Sequence, residues 1–257
     1  MSPREVLVSA NWKMHHTHYE AIAFVQGLAA LLRSSPLPSG RAVSLHPTFT
    51  SLRSVQTAIE SDGVPVSLGA QNCHEAETGA FTGEVSAGML AKLNVSHVIV
   101  GHSERRQHFG ETDAMVRAKF DAVRRHDMVP ILCVGETLVE RDGGEQLEKV
   151  SRQLQSCFEG RSPDEVGACV VAYEPIWAIG TGRTASSGDA EEMAGHIRRE
   201  VKRLSGGDAA SAIRVQYGGS VRPDNAGELL GCPNVDGLLV GGASLEAPSL
   251  HAIATAS

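Results

Sequence analysis

Short runs of aliphatic and β-branched residues recur along the chain, and after most of them the apolar positions fall instead at three- and four-residue intervals. The runs predict strands over 5–10, 42–46, 64–69, 97–100, 128–134, 168–173, 213–217 and 236–240, because a strand covered on both faces is apolar throughout and does not alternate. Between them, one helical stripe over 18–33 carries Ala21, Phe24, Val25, Leu28, Leu31 and Leu32. A second, over 145–158, carries Leu147, Val150, Leu154 and Phe158, and a third, over 189–204, carries Met193, Ile197, Val201 and Leu204 after the capping candidates Ser186 and Ser187. Eight β-α alternations in 257 residues predict an α/β protein whose whole length, 1–257, is a single-domain (β/α)8 barrel. A doubly wound sheet would more often leave polar edge strands or a second domain.

Composition narrows the function. Lys and Arg total 23 against 30 Asp and Glu, a net charge of −7 with histidines neutral, which excludes a general nucleic-acid binder. No apolar run approaches the ~20 residues that span a bilayer, so no membrane partner is expected. The five cysteines are odd in number and widely spaced, without a C-x-x-C pair, and read as reduced thiols. With no secretory or transit character in MSPREVLVSANWKM, the expected location is cytoplasmic.

In a barrel of this kind the residues just after each strand gather at one open face, which carries the chemistry. Those positions hold Asn11 and Lys13 after the first strand, His102 after the fourth, Glu174 after the sixth, and the Gly pairs 218–219 and 241–242 after the last two. Each has a plainer reading: the Gly pairs as tight turns, Glu174 as a solvated acid, His102 as a structural imidazole, Lys13 as a surface cation. Together they supply a base, an acid/base shuttle, a fixed positive charge and an amide donor around a phosphate cradle. That set suits removal of a proton next to a carbonyl, with charge building on oxygen, and requires neither a nucleophile, a metal nor a cofactor.

Other patterns carry less. GTGRTA at 180–185 fits G-x-G-x-x-A but lacks the acid-tipped second strand of a dinucleotide site. His102-Ser103-Glu104 lacks the P-C-x-x-C half of a zinc deaminase signature, and His15, His16 and His18 lack a further ligand. An aldolase would need a Schiff-base lysine inside the barrel, and metal epimerases need ligands on several strands. A barrel kept only as a binding protein is the alternative outside enzymes.

The blocks NWKM (11–14), GHSERR (101–106), CVGE (133–136), AYEPIWAIGTGRTA (172–185), YGGSV (217–221) and DGLLVGGASL (236–245) together resemble the triosephosphate isomerase family, in order and over essentially the full length. The resemblance implies the TIM barrel and interconversion of dihydroxyacetone phosphate and D-glyceraldehyde 3-phosphate through an enediol(ate). It implies that Glu174 is the base, that His102 acts as a neutral electrophile, its cationic form disfavoured by the helix start after it, that Lys13 supplies charge and that Asn11 donates a hydrogen bond. Gly180, Ser220, Gly241 and Gly242 match phosphate-binding positions, and Glu104 matches a supporting one. Pro175, Ile176, Trp177, Ala178, Ile179, Gly180, Thr181, Gly182 and Arg183 match a mobile lid, with Tyr217 and Ser220 as the partners that hold it shut. The segment 71–86 resembles a loop that enters a partner subunit, with Thr82 near its tip, which implies a homodimer. Ala10, His15 and Arg183 stand where the family commonly has Gly, Asn and Lys, and none of these departures removes a catalytic group.

Overall fold

A computed structural model describes residues 4–178 and 185–257 of the chain. Eight parallel strands close into a barrel in chain order: β1 (Val6–Asn11), β2 (Arg41–His46), β3 (Ser67–Ala70), β4 (His97–Val100), β5 (Val129–Val134), β6 (Val170–Tyr173), β7 (Arg214–Tyr217) and β8 (Gly237–Val240). Closure is made by β1 against β8, with Leu7 opposite Gly237 and Ala10 opposite Val240. The connections carry α1 (His18–Ser34), α2 (Leu52–Asp62), α3 (Ala87–Ala91), α4 (Ser103–Phe109), α5 (Asp113–Arg124), α6 (Leu138–Asp142), α7 (Gln146–Phe158), α8 (Pro163–Gly167), α9 (Ser187–Ala212), α10 (Ala226–Leu230) and α11 (Ala247–Thr255).

Why the strands read as continuous apolar runs is visible in how their side chains divide. Leu7, Ile99, Ile131, Cys133, Val170, Ala172 and Leu239 form one buried cluster. Their chain neighbours Val8, Val98, Val100, Leu132, Val171 and Leu238 belong to the larger cluster shared with the helices. Both faces are dry, so both are apolar, and each fully buried Val, Leu or Ile stabilises the fold by about 1.5–3 kcal/mol. The helices follow their stripes. α1 buries Ala21, Phe24, Val25, Leu28, Ala29 and Leu32, and its start is fixed by a capping box in which Thr17 N–H donates to Glu20 Oε2 at 2.7 Å.

One layer of the barrel is polar. His46, fully buried, donates from Nδ1 to Ala70 O at 3.1 Å, while its Nε2 lies 2.9 Å from Ser44 Oγ. Ser44 Oγ is 3.0 Å from Ser9 Oγ, which in turn accepts from Gln216 Nε2 at 2.8 Å. Burial drives the His46 imidazole down to about 4, so the ring is neutral at physiological pH.

Most predicted boundaries shift by one or two residues, and two shift further. β3 begins at Ser67 and not at 64, because Pro65 has no N–H to give a ladder. The helix expected to stop at 204 resumes after a break at Gly206 (φ 90°) and reaches Ala212. The Ser-Gly-Gly sequence there marks a kink, not an end.

Candidate active site

The polar residues at the mouth are positioned by the last turn of each strand. Asn11 ends β1 in register with His46, and its Oδ1 accepts the Lys13 N–H at 3.1 Å. Lys13 itself has φ +50°, a left-handed conformation that costs a non-glycine residue about 1 kcal/mol or more. The conformation is held by Gln71, whose Nε2 donates to both Lys13 O (2.8 Å) and His46 O (2.9 Å). The strained backbone aims the side chain across the mouth: Lys13 Nζ pairs with Glu104 Oε1 at 2.6 Å. On its way it passes Gly241, where an added Cβ would lie only 3.4 Å from Lys13 Cε. The ammonium therefore sits beside the Gly pair that follows β8. Burial is the largest single influence on the Glu104 carboxyl and raises it, but the hydrogen bond from Lys13 and the neighbouring positive charges together outweigh that and leave it below the ordinary value.

His102 follows β4 as the cap of α4, and its Nδ1 accepts the Glu104 N–H at 3.2 Å. A backbone N–H can only donate, so Nδ1 carries no proton, the ring is neutral and Nε2 bears the hydrogen. Nε2 lies 3.1 Å from Glu174 Oε1.

Glu174 is no solvated acid: its residue is only 2% exposed. Its N–H donates to Val134 O at 2.8 Å, anchoring the backbone to the end of β5. Ser103 N–H donates to Oε2 at 2.9 Å and Ser103 Oγ–H to Oε1 at 2.8 Å. The carboxylate is gripped by Ser103 and His102, all donors without a fixed charge. Next to it, burial and the Glu174 charge push the Cys133 thiol well above its ordinary range.

The start of the expected lid is tied down by Glu136, fully buried at the end of β5. It accepts from Tyr173 Oη (3.0 Å), Trp177 Nε1 (2.7 Å) and Arg141 Nη1 (3.1 Å). Burial still leaves its carboxyl above the ordinary value. The Arg141 guanidinium stacks 4.4 Å from the Trp177 ring centroid and also pairs with Asp189 in the first turn of α9. Pro175 leads into a single 3-10 turn, Ile176–Ala178. Gly219 lets Tyr217 and Pro175 approach, since a Cβ there would fall 2.2 Å from Tyr217 Oη and 2.9 Å from Pro175 Cγ. The Tyr217 hydroxyl is buried and makes no hydrogen bond to any described residue.

The fold thus brings Asn11, Lys13, His102, Glu104, Glu174 and Gly241 to one mouth, with Gly242 opening the 3-10 turn Gly242–Ser244 and Ser220 on the loop after β7. Ile179, Gly180, Thr181, Gly182 and Arg183 lie outside the described residues. Thr82 is exposed, on a projection closed at its base by His74 N–H to Val85 O, 2.8 Å. Ser103, Gln71 and Glu136 sit in segments that the sequence singles out, but their roles as holders of Glu174, Lys13 and Trp177 carry no signal in it. Arg141 lies in none of those segments. His16 is bonded to Leu245 O at 3.1 Å, and His18 starts α1. Among the described residues no group of three His, Cys, Asp or Glu could hold a metal ion, and no helix is long and apolar enough to cross a membrane.

Residues 6–257 match the family model described as triosephosphate isomerase. The chain is 46% identical over 243 residues to the protein of that name from Mycobacteroides abscessus, covering 95% of this chain and 93% of the relative. It is 48% identical over 242 residues to that of Saccharopolyspora erythraea (94% and 92%), and 47% identical over 250 residues to that of Moorella thermoacetica (97% and 98%).

Proposed function

Because the chain belongs to the triosephosphate isomerase family and interconverts dihydroxyacetone phosphate and D-glyceraldehyde 3-phosphate in glycolysis and gluconeogenesis, we propose that Glu174 moves the proton between the two carbons and His102 serves the two oxygens. The observation that carries this is the contact between a buried carboxylate and the protonated nitrogen of a neutral imidazole, 3.1 Å apart. To act, the carboxylate exchanges the Ser103 donors for a carbon-bound hydrogen, while His102 Nε2–H polarises the carbonyl on which charge builds. Asn11 donates to the same oxygen. Lys13, next to Gly241, balances phosphate and enediolate charge, and the backbone N–H groups of Ser220, Gly241 and Gly242 cradle the phosphate together with Gly180. Glu104 keeps the ammonium of Lys13 in place. Residues 175–183 act as the lid, sequestering the intermediate from water, with Tyr217 and Ser220 as its latch. The buried, unsatisfied Tyr217 hydroxyl supports that latch, since an orphaned buried donor costs about 1–3 kcal/mol and is offset when a partner arrives.

We further propose that residues 1–257 work as one catalytic domain, without metal or cofactor, in the cytoplasm, as a homodimer. The five free thiols, four of them buried, suit a reducing compartment. Beside Lys13 opens a cavity of roughly 310 Å³ lined by Asn11, Met14, Thr48, Phe49, Gln71 and Phe109 among others. Met14 is 91% exposed and Phe109 66%, an apolar rim that suits the projecting loop of a second subunit carrying Thr82. Purified protein and its His102→Gln variant, assayed for dihydroxyacetone phosphate formed from D-glyceraldehyde 3-phosphate, test the catalytic assignment: the variant is expected to lose about 10²-fold or more in kcat, and wild-type turnover would overturn the role. For the dimer, Thr82→Arg is expected to give monomers in sedimentation velocity with loss of activity. An unchanged dimer would move the interface elsewhere.

A further inference from the structure

The polar layer of the barrel reaches the first loop of the mouth through one residue, His46, which stands in register with Asn11 at the end of β1. Its carbonyl oxygen accepts the Trp12 N–H at 3.2 Å and Gln71 Nε2 at 2.9 Å. Its ring donates from Nδ1 to Ala70 O at 3.1 Å, and Ala70 is the last residue of β3, immediately before Gln71. His46 therefore holds both the backbone that leads into Gln71 and the far end of the Gln71 side chain. That side chain in turn donates to Lys13 O at 2.8 Å. Because Lys13 is a non-glycine residue at φ +50°, its turn persists only while such contacts over-determine it.

The ring has one place and one tautomer. A carbonyl oxygen only accepts, so Nδ1 carries the hydrogen, and the bare Nε2 of the neutral ring takes its bond from the Ser44 hydroxyl at 2.9 Å. Room for the ring is made at Gly69 of β3, where an added Cβ would fall 2.2 Å from His46 Cε1 and 2.3 Å from Nδ1. The imidazole thus occupies volume that a β3 side chain would otherwise fill. An apolar residue could fill it too, as Leu7, Ile99 and Ile131 do elsewhere in the barrel, and would avoid the cost of burying polar groups. What an apolar residue could not supply is the donor to Ala70 O.

From this geometry we infer that His46 is a positioning residue for Lys13, an inference that rests on the role proposed above for that lysine. By gripping Ala70 the ring sets the Gln71 amide, the amide clamps the left-handed turn at residue 13, and the turn aims the ammonium beside Gly241. The ring itself takes no part in the chemistry; it acts through the direction of a charge.

Steady-state kinetics of two variants of the whole protein separate this role from mere support of the barrel. Asparagine places its side-chain amide where Nδ1 stands, so His46→Asn keeps a donor to Ala70 O but gives up Ser44. His46→Leu combined with Ser44→Ala refills the barrel with apolar groups and strands no hydroxyl at position 44, which preserves the fold, but it removes the donor to Ala70 O. The apolar pair is expected to lose about tenfold or more in kcat/KM, through a raised KM and a lowered kcat together, while His46→Asn stays within about threefold. Thermal melting is expected to rank them the other way, with His46→Asn the less stable. In a Lys13→Ala background the apolar pair should cause no further loss, since no ammonium is left to aim. Wild-type kcat/KM in the apolar pair, an equal or larger loss in His46→Asn, or a loss that repeats undiminished in the Lys13→Ala background overturns the positioning role. Unimpaired activity of Lys13→Ala by itself would instead withdraw the role of Lys13.

Discussion

Two buried carboxylates at opposite ends of the barrel are built to opposite specifications. Glu174, after β6, is held by Ser103 and His102, donors that carry no fixed charge. Asp236, entering β8, is held by the arginines Arg4 and Arg198 and by the Val215 N–H at 2.9 Å. A carboxylate bound by two guanidiniums is pinned by charge as well as by hydrogen bonds. One bound by a hydroxyl, an amide and a neutral imidazole is free to exchange those donors for another partner. The difference between an exchangeable carboxylate and a rivet is therefore set by the charge of the donors, not by burial, which the two residues share.

The contrast is broken most severely by Glu174→Gln, which keeps the shape but removes the carboxylate proposed as the base. It is expected to lower kcat by about 10²–10⁴-fold with little change in melting temperature, read by steady-state kinetics and calorimetry together. Activity within a few-fold of the unmodified enzyme would return Glu174 to a structural role.

At the other end, Asp236→Asn leaves two arginines facing each other. Its expected cost is about 3 kcal/mol of unfolding free energy, at the low end for a broken buried ion pair because Arg4 is partly solvated, measured by urea denaturation. Turnover per folded molecule should be unaltered. A variant that loses kcat instead would mean the two ends are coupled.

Acid separates the carboxylates from the polar layer between them. The folded-state value of His46 is lowered, to about 4 against an ordinary 6.5, so between those values the unfolded chain takes up a proton that the native ring refuses. Its contribution is thus complete above pH 6.5 and is lost as pH falls towards 4, amounting to roughly 2 kcal/mol by pH 5. His46→Gln should flatten the stability profile across that window, and a profile that stays equally steep would assign the loss to other groups.

The smallest effect is expected from Ser103→Ala, which removes one of the donors on Glu174 and leaves the backbone N–H. A change of about tenfold or less in kcat/KM is anticipated from the activity assay. A loss as large as that of Glu174→Gln would show that the carboxylate cannot find its working position unaided.

How much of this was legible beforehand follows the same division. Glu174, His102 and Lys13 could be found because each directly follows a strand whose apolar run is unmistakable in sequence, and the barrel rule converts that adjacency into a place. Asp236 and Arg198 could not be paired, being 38 positions apart with no local pattern between them. Neither could Gln71 be recognised as the clamp on Lys13, because a loop amide has no periodicity to betray its direction. The continuation of α9 past Gly206 was hidden for a different reason: two consecutive glycines are indistinguishable in sequence from a helix stop, and only packing carries the helix on.

The left-handed backbone at Lys13 sets a hazard for anyone selecting variants of this enzyme for heat resistance. Glycine relaxes that conformation without cost and asparagine tolerates it, so either would register as an improvement of the scaffold at position 13. Either would also remove the ammonium that the kinked backbone aims beside Gly241. A screen that scores melting alone would select against the charge proposed to serve catalysis at this residue, and its winners would be well-folded barrels without it.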